Sequence, residues 1–256
     1  MNSTVVEKGA PAVPATSVGS RLFKAVATDG TDFHTGTVPW LPADGAPIPE
    51  GGWLVEHPEP GQVGSANPSG FLSASSVETD CTGFSWPARL LLVEPAATMW
   101  TPNPDLLPDK RAARAWRAVR ELPAWQLLGP QGREVAALIE QVSHLTSAQI
   151  EGLAAARGAV FGAVLGAAWD AFQPAALDAA LDAAWGAAQG ASRGAAMYAA
   201  WNAAMYAAQG SAAQGAAAQD AVYGLLVKDL ISTKDFRTLT DPWTQVMGRS
   251  WEVGTR

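Results

Sequence analysis

The chain has 256 residues, of which 48% are hydrophobic and 16% charged, and its formal net charge is −7. This composition excludes an intrinsically disordered chain, and the acidic balance argues against non-specific binding to nucleic acid because phosphates repel it. The single cysteine, Cys81, excludes an intrachain disulfide and favours a reducing cytoplasm, with a buried structural thiol as its simplest interpretation.

The first 20 residues contain Pro and Gly but no continuous apolar run. They do not have the pattern of a secretory signal, and we expect a flexible tail on a cytoplasmic protein. Residues 194–219 carry no charge and are long enough to cross a bilayer, but Ala, Gly, Gln and Ser dominate there. Because such side chains gain little in lipid, we do not expect a membrane span.

Four short apolar runs predict β-strands, and turns containing Gly, Pro or Asp separate them. They lie at residues 21–27, 52–57, 70–75 and 88–96. The stretch "LLLVE" in the last run is apolar on both faces, so we expect it in the middle of a sheet. The sequence therefore predicts an α+β chain whose residues 21–128 form a small, mixed or antiparallel, β-rich domain.

Residues 109–123 are ambiguous between a strand and a helix. Arginines recur there at every third position, namely at Arg111, Arg114, Arg117 and Arg120. Such a cluster is suited to contacts with phosphates. The acidic flanks and the acidic remainder of the domain favour internal salt bridges instead, so nucleic acid is not the expected partner.

From Gly129 onward the residue pattern is helical. "TSAQ" at 146–149 is typical of a capping box that begins a helix, with Thr146 at the N-cap and Gln149 reaching back. Thirteen consecutive four-residue units then run from Arg157 to Ala208, most with a large first residue and alanine at the third and fourth. Because four residues turn an α-helix by about 400°, each large residue lies about 40° further around the helix axis than the one before it. We call this rotation the drift of the large residues.

Interruptions of this repeat predict where helices end. Pro174, the stretch 189–194 and a five-residue step after Gln209 break the pattern. We expect helices folded back on each other over about 147–172, 175–190, 195–208 and 212–231, within a repeat region spanning 129–231. The alternative is one long bent helix. Residues 232–256 are predicted to form a helical cap, with Ser232 and Asp235 as a capping box and "DPW" at 241–243 beginning a further turn.

The large residues of the repeat are the candidate interaction residues. Packing in the core of a helical bundle is the simplest interpretation, and an exposed stripe for a partner or for self-assembly is the alternative. The residues concerned are Trp169, Trp185, Met197, Trp201 and Met205.

The common catalytic and cofactor motifs are absent from the sequence. It contains no Gly-rich phosphate loop, no zinc-spaced Cys/His set, no HExxH and no nucleophile elbow. The three histidines, His34, His57 and His144, are far apart, and each fits a surface or hydrogen-bonded residue better than a metal ligand. We therefore expect neither a metal nor a cofactor.

Two parts of the chain resemble uncharacterised proteins of actinobacteria and their phages. The first is the alanine-rich stretch "LDAALDAAWGAA" with the later "GLLVKDLISTKDFRTLTDPW". The second is an N-terminal set of stretches: "DFHTGTV", "GFLSASSVETDCTGFSWPARLLLVEP" and "ELPAWQLLGPQG". The resemblance covers most of residues 21–248. It implies that residues 110–122 form a sheet strand, and it implies a phage or prophage setting, but no activity.

A second resemblance concerns ADP-ribosyltransferase-like folds. These folds pair an early-strand Arg or His with a Ser-x-Ser motif and a later glutamate. Ser73 and Ser75 match the serine motif, Glu94 the glutamate, and Arg21 or Lys24 lies on the first strand. The sequence departs from the pattern because it lacks a clear Arg or His-Gly at the first position and because Pro95 directly follows Glu94.

These observations favour a non-enzymatic structural or protein-interaction protein. Its alanine-rich helices would pack internally or self-assemble, so its partner would be a second copy or another protein. The setting would be the cytoplasm of a bacterial or phage-infected cell, with association with the virion as a further option. The alternatives are an ADP-ribosyltransferase-like enzyme in the N-terminal domain and nucleic-acid binding through residues 110–120.

Overall fold

We describe the fold from a computed structural model, which covers residues 21–43, 46–81, 83–162, 174–208, 212–249 and 251. The predicted tail over residues 1–20 and the candidate residue Trp169 lie outside these ranges. The described residues show a six-stranded antiparallel sheet in the N-terminal half and six α-helices after it. The α+β class is therefore confirmed.

The first four strands occupy the four apolar runs seen in the sequence, and the last two lie in the ambiguous segment. Their bounds are β1 Leu22–Val26, β2 Trp53–Glu56, β3 Leu72–Ser75, β4 Arg89–Pro95, β5 Lys110–Ala113 and β6 Ala115–Leu122. Within the sheet the order is β2-β6-β4-β1-β3-β5, and every paired neighbour is antiparallel. Because β4 has a strand on each side, the central position predicted for "LLLVE" is confirmed.

The ambiguous segment around residues 110–122 is a strand interrupted at one residue. Only Arg114 separates β5 from β6, although β5 pairs with β3 and β6 pairs with β4 and β2. Since β5 and β6 are distant in the strand order but adjacent in the chain, the sheet must curl back on itself. The concave side of this curl encloses large side chains that include Trp40 and Trp116.

The six helices follow the sheet in the second half of the chain. Their bounds are α1 Gly132–Val142, α2 Ser147–Gly162, α3 Pro174–Gly190, α4 Gly194–Ala207, α5 Ala212–Leu226 and α6 Thr233–Met247. Helix α5 packs against α4 and α6, and α3 also packs against α6. Over the described residues the helices are therefore folded back on each other, and the alternative of one long bent helix is wrong for α3 to α6.

The predicted helix caps explain two of the boundaries. Before α2, Thr146 and Gln149 form the capping box, with the Gln149 backbone N–H donating to Thr146 Oγ1 at 3.3 Å and the Thr146 N–H donating to Gln149 Oε1 at 2.8 Å. Before α6, the backbone N–H of Asp235 donates to Ser232 Oγ at 3.1 Å. The expected new turn at "DPW" is wrong, because α6 continues through Pro242, which is buried.

The alanines at the fourth position of each repeat unit form the buried face of α3 and α4. All seven described alanines at that position are buried: Ala180, Ala184, Ala188, Ala196, Ala200, Ala204 and Ala208. The large first-position residues instead turn outward along each helix. In α3 exposure increases from Leu177 through Leu181 to Trp185, and in α4 from Met197 through Trp201 to Met205. This progression is the predicted 40° drift.

After the break at residues 190–193, the first large residue of α4, Met197, is buried again. The break also contacts the sheet domain. Ser192 adopts a left-handed conformation with φ of 54°, and its carbonyl accepts a hydrogen bond from Thr79 Oγ1 at 2.8 Å. The buried Arg193 forms two parallel bonds to the Asp229 carboxylate at 2.7 and 2.9 Å. One hydrophobic cluster, which includes Phe23 and Leu90 of the sheet and Leu225 of α5, joins the two halves.

Candidate functional site

The segment "DFHTGTV" forms a tight loop around the carboxylate of Asp32. One carboxylate oxygen accepts from Thr35 Oγ1 at 2.6 Å and from the Val38 N–H at 3.1 Å. The other accepts from the backbone N–H groups of His34 and Thr35 at 2.9 and 2.8 Å. These hydrogen bonds outweigh the effect of burial and lower the pKa of Asp32, so the loop is held by an ionised carboxylate.

Strands β1 and β3 separate directly beneath this loop. The two strands are paired at Phe23 and Ser75, and the residues beyond that pair line a cleft of about 470 Å³. Its walls are formed by residues of β1 and the Asp32 loop, by residues 57–59, 68–69 and 71–73, and by the first residue of β5. A concave site of this size, with converging polar groups, is the usual form of a small-molecule pocket.

Lys24 lies in this cleft, with its ammonium group 4.9 Å from the centre of the Trp40 ring. Burial lowers the pKa of Lys24 to about 8, an effect that the charge of Asp32 partly offsets. At neutral pH the side chain is still mainly protonated. A lysine whose charge is poorly solvated is a frequent feature of functional sites.

Lys110 and Ser73 line the same cleft from β5 and β3. Burial lowers the pKa of Lys110, while the charge of Asp80 acts in the opposite direction. Cys81 lies next to Lys24 and Lys110 at a smaller cavity, and burial raises the pKa of its thiol to about 12. The thiol is therefore protonated, and it fits the buried structural cysteine expected from the sequence.

The two histidines at the cleft have different surroundings. His57 is half-buried, and its Nδ1 accepts the backbone N–H of Glu59 at 3.0 Å, which leaves Nε2–H as the donor of the neutral ring. His34 and Glu59 are exposed residues of the same cleft. Within the described ranges, no group of three or more His, Cys, Asp or Glu side chains is arranged to hold a metal ion.

The three residues matched to ADP-ribosyltransferases do not come together in one site. Ser73 lines the cleft, whereas Ser75 is buried, and its Oγ accepts the backbone N–H of Val77 at 3.1 Å. In the sheet, Phe23 is flanked by Ser75 on one side and by Leu92 on the other. Ser73 lies two residues from this row toward one end of the strands, and Glu94 lies two residues from it toward the other end. The four residues of separation correspond to about 13 Å along the strand direction alone. Glu94 does not line the cleft.

The basic cluster is divided among separate contacts. Arg111 donates to the carbonyl of Pro108, and Arg117 donates to the carbonyl of Gly51 at 2.8 Å. Arg114 and Arg120 are exposed. The ion pair in this region joins Glu121 to Arg89 at 2.6 Å, and therefore uses an arginine outside the cluster. This arrangement adds no support to nucleic-acid binding.

The candidate residues of the repeat are split between core and surface. Met197 is fully buried and Trp201 half-buried, whereas Trp185 and Met205 are 44% and 38% exposed. The expectation of a core stripe therefore holds for Met197 and not for Trp185 or Met205. Two tyrosines that had not been singled out, Tyr198 and Tyr206, are more exposed than any of these.

Sequence reasoning missed Lys24 and Lys110 as members of one site. The helpful signals were "DFHTGTV", in which an Asp precedes Thr and Gly residues that can close a loop on it, and a lysine within an otherwise apolar strand. Neither signal reveals that the two lysines meet, because 86 residues separate them in the chain and only the strand pairing brings them together.

Comparison with protein-family models, with curated proteins and with solved structures found no match to this chain. Among the described helices, none combines the length and apolar character needed to cross a membrane.

Proposed function

We propose that the chain is a non-enzymatic interaction protein that self-associates through one face of helix α4. The resemblance of its repeat to proteins of actinobacteria and their phages supports a setting in the cytoplasm of a bacterial or infected cell, or in the virion. The observation that carries the proposal is a group of large side chains on the outer surface of α4.

This group, the α4 aromatic face, consists of Tyr198, Trp201, Met205 and Tyr206. The residues follow the spacing i, i+3, i+7 and i+8, which places them on one side of the helix. Tyr198 is 60% exposed and Tyr206 is 76% exposed, and the ring of Tyr198 stacks on Trp201 at 6.3 Å. Aromatic residues and Met are the types enriched where protein interfaces are fully buried.

The charge distribution favours a second copy of the chain as the occupant of this face. The molecule carries a net charge of −7, so two copies repel each other over most of their surfaces. Helix α4 contains no Asp, Glu, Lys or Arg, so a symmetric pairing of two α4 helices brings no like charges together. The stacked rings also supply contact area at a low entropic cost.

Sedimentation velocity over a concentration series tests this proposal on the full chain. We expect the wild type to form dimers and the double variant Tyr198→Ser/Tyr206→Ser to be monomeric. Leu106→Ser is the matched control, because Leu106 is 75% exposed but lies in the sheet domain. Far-UV circular dichroism should show the same helix content in all three proteins, since the substituted side chains are exposed.

Two results would count against self-association. One is a wild type that stays monomeric at the highest concentration reached. The other is a dimer that the double variant preserves and that Leu106→Ser weakens equally. A wild-type monomer that binds a different protein through the same face would replace the second copy with that partner.

A further inference from the structure

We propose that the cleft between β1 and β3 binds a small organic anion, whose carboxylate or phosphoryl group is held by Lys24, Lys110 and Ser73. This inference does not depend on self-association through α4, because it concerns a different part of the molecule.

The three side chains have hydrogen-bond donors with no acceptor. Over the described part of the chain, neither ammonium group forms a hydrogen bond or an ion pair, and the Ser73 hydroxyl has no partner. Lys24 instead has its ammonium group over the ring of Trp40. The three side chains are half-buried and their donor atoms are open to the cleft, so a ligand that accepts hydrogen bonds can reach them.

The carboxylate of Asp32 near Lys24 is already occupied. Both oxygens of Asp32 accept hydrogen bonds from its own loop, and no Asp32 oxygen lies within 4.0 Å of the Lys24 ammonium. Asp32 therefore reduces the positive potential at Lys24 without satisfying its donors. Lys110 is close enough to Lys24 to disfavour its charge, so two ammonium groups act on the same space.

Two other acidic residues lie near the cleft, Glu59 and Asp80. Glu59 is exposed at the rim. Asp80 lies near Lys110 at the small cavity behind the cleft, but it forms no ion pair with it, and burial together with Asp109 raises the pKa of its carboxyl group. Among the described residues, the cleft is thus lined by two lysines and two carboxylates, and the ammonium groups attract an anion through their unpaired donors and not through an excess of positive charge.

The size and the apolar walls of the cleft indicate the rest of the ligand. A volume of about 470 Å³ exceeds what a bare inorganic ion occupies and suits a small organic molecule. The walls beside the lysines include the apolar residues Phe33, Phe71 and Leu72. An anion that carries a flat or aliphatic body would therefore place its charge on the lysines and its body against these side chains.

Isothermal titration calorimetry with three probes tests the site in the full chain. Phenyl phosphate and benzoate carry the two anionic groups, and benzamide is the neutral counterpart of benzoate. We expect at least one anion to bind and benzamide to bind about tenfold more weakly or not at all, as for the loss of a charged hydrogen bond. The difference between phenyl phosphate and benzoate identifies the group that the cleft prefers.

Variants connect the binding to the named residues. Lys24→Met and Lys110→Met should each weaken the preferred anion about tenfold or more. Lys234→Met is the matched control, because Lys234 is exposed on α6 and lines neither cavity next to β1. Thermal unfolding without ligand shows whether each variant is folded, and removing a buried charge at residue 24 should not lower its Tm.

The proposal is overturned if neither anion binds the wild type, or if benzamide binds as tightly as the preferred anion. It is also overturned if a folded Lys24→Met or Lys110→Met variant keeps the wild-type affinity. If one lysine variant fails to fold, the other together with Ser73→Ala decides the question, since Ser73→Ala removes one donor and should weaken binding severalfold.

Discussion

The sheet domain and the alanine-rich helices bury opposite kinds of side chain. The concave side of the sheet encloses Trp40 and Trp116, together with Leu, Val and Ala residues. The buried faces of α3 and α4 consist mainly of alanine, while Trp185 and Tyr206 face outward. The difference shows that large residues mark the core in one half of the molecule and the surface in part of the other.

The physical reason lies in how the two kinds of element approach their neighbours. A curled sheet leaves a space between its strands and loops that only large side chains can fill at native density. Two helices come closest where the residues between them are small, so a repeated alanine lets their backbones approach. The following four predictions test this comparison, from the largest expected effect to the smallest.

Trp116→Ala should lower the free energy of unfolding by about 3–5 kcal/mol, because it removes a buried side chain and leaves a cavity in the core. Trp116 is fully buried, and its Nε1–H donates to the carbonyl of Leu72 at 3.0 Å. Urea unfolding followed by circular dichroism measures the change. Trp185→Ala is the matched control and should have a far smaller effect. Equal losses in the two variants would contradict the comparison.

Lys24 of the sheet domain should make the free energy of unfolding depend on pH between 8 and 10.5. Burial lowers its pKa from 10.5 to about 8, so between these values the unfolded chain binds more protons at this residue, and the contribution of Lys24 to stability rises as the pH rises from 8 to 10.5. The rise is at most about 3 kcal/mol, since one pKa unit corresponds to about 1.4 kcal/mol. The raised pKa of Cys81 acts in the opposite direction above about pH 9, so the Lys24 contribution is the difference between the wild type and a Lys24 variant. Lys24→Met should lose this component, and urea unfolding at several pH values measures it. A parallel pH dependence in both proteins would contradict the prediction.

Ala184→Leu should lower the free energy of unfolding by about 1–3 kcal/mol, because it overpacks a tight helix contact. Ala184 is fully buried, whereas the adjacent Ala183 is exposed on the same helix. Ala183→Leu is therefore the control with the same change in helix propensity. Thermal unfolding compares the two variants. If both lose the same stability, the alanine face does not form a close contact.

Tyr206→Ser should change the free energy of unfolding of the monomer by about 0.5 kcal/mol or less, as is usual for exposed positions. Tyr206 is the most exposed large residue of α4. The measurement is chemical unfolding at a concentration low enough to exclude self-association. A loss of several kcal/mol would mean that Tyr206 packs within the molecule, which would also remove the basis for the α4 aromatic face.

Much of the secondary structure was accessible from the sequence. The four apolar runs became β1 to β4, and the breaks at Pro174 and 189–194 became helix boundaries. The end of α5 was predicted five residues too late, because the apolar residues after Leu226 continue the helical spacing although the helix has ended. Pro242 was misjudged because a buried helix with enough tertiary contacts tolerates the missing N–H.

The candidate site was less accessible. The sequence pointed to Ser73, which lines the cleft, but it linked this residue with Glu94, which does not. Lys24 was noted only as a residue of the first strand. The two lysines and Ser73 lie on three different strands, and periodicity within one strand contains no information on which strands are neighbours.

By itself, the sequence determined the strands, the helix breaks and the 40° drift, because each depends on local spacing and backbone preference. The tertiary structure decided which residues of the repeat face the core. It places the fourth-position alanines inward and lets Trp185 and Met205 turn to the surface. It also decided that β1 and β3 separate beyond Phe23 and that Lys24 meets Lys110 in the space between them. Such long-range pairing depends on how the whole sheet curls, which no local pattern specifies.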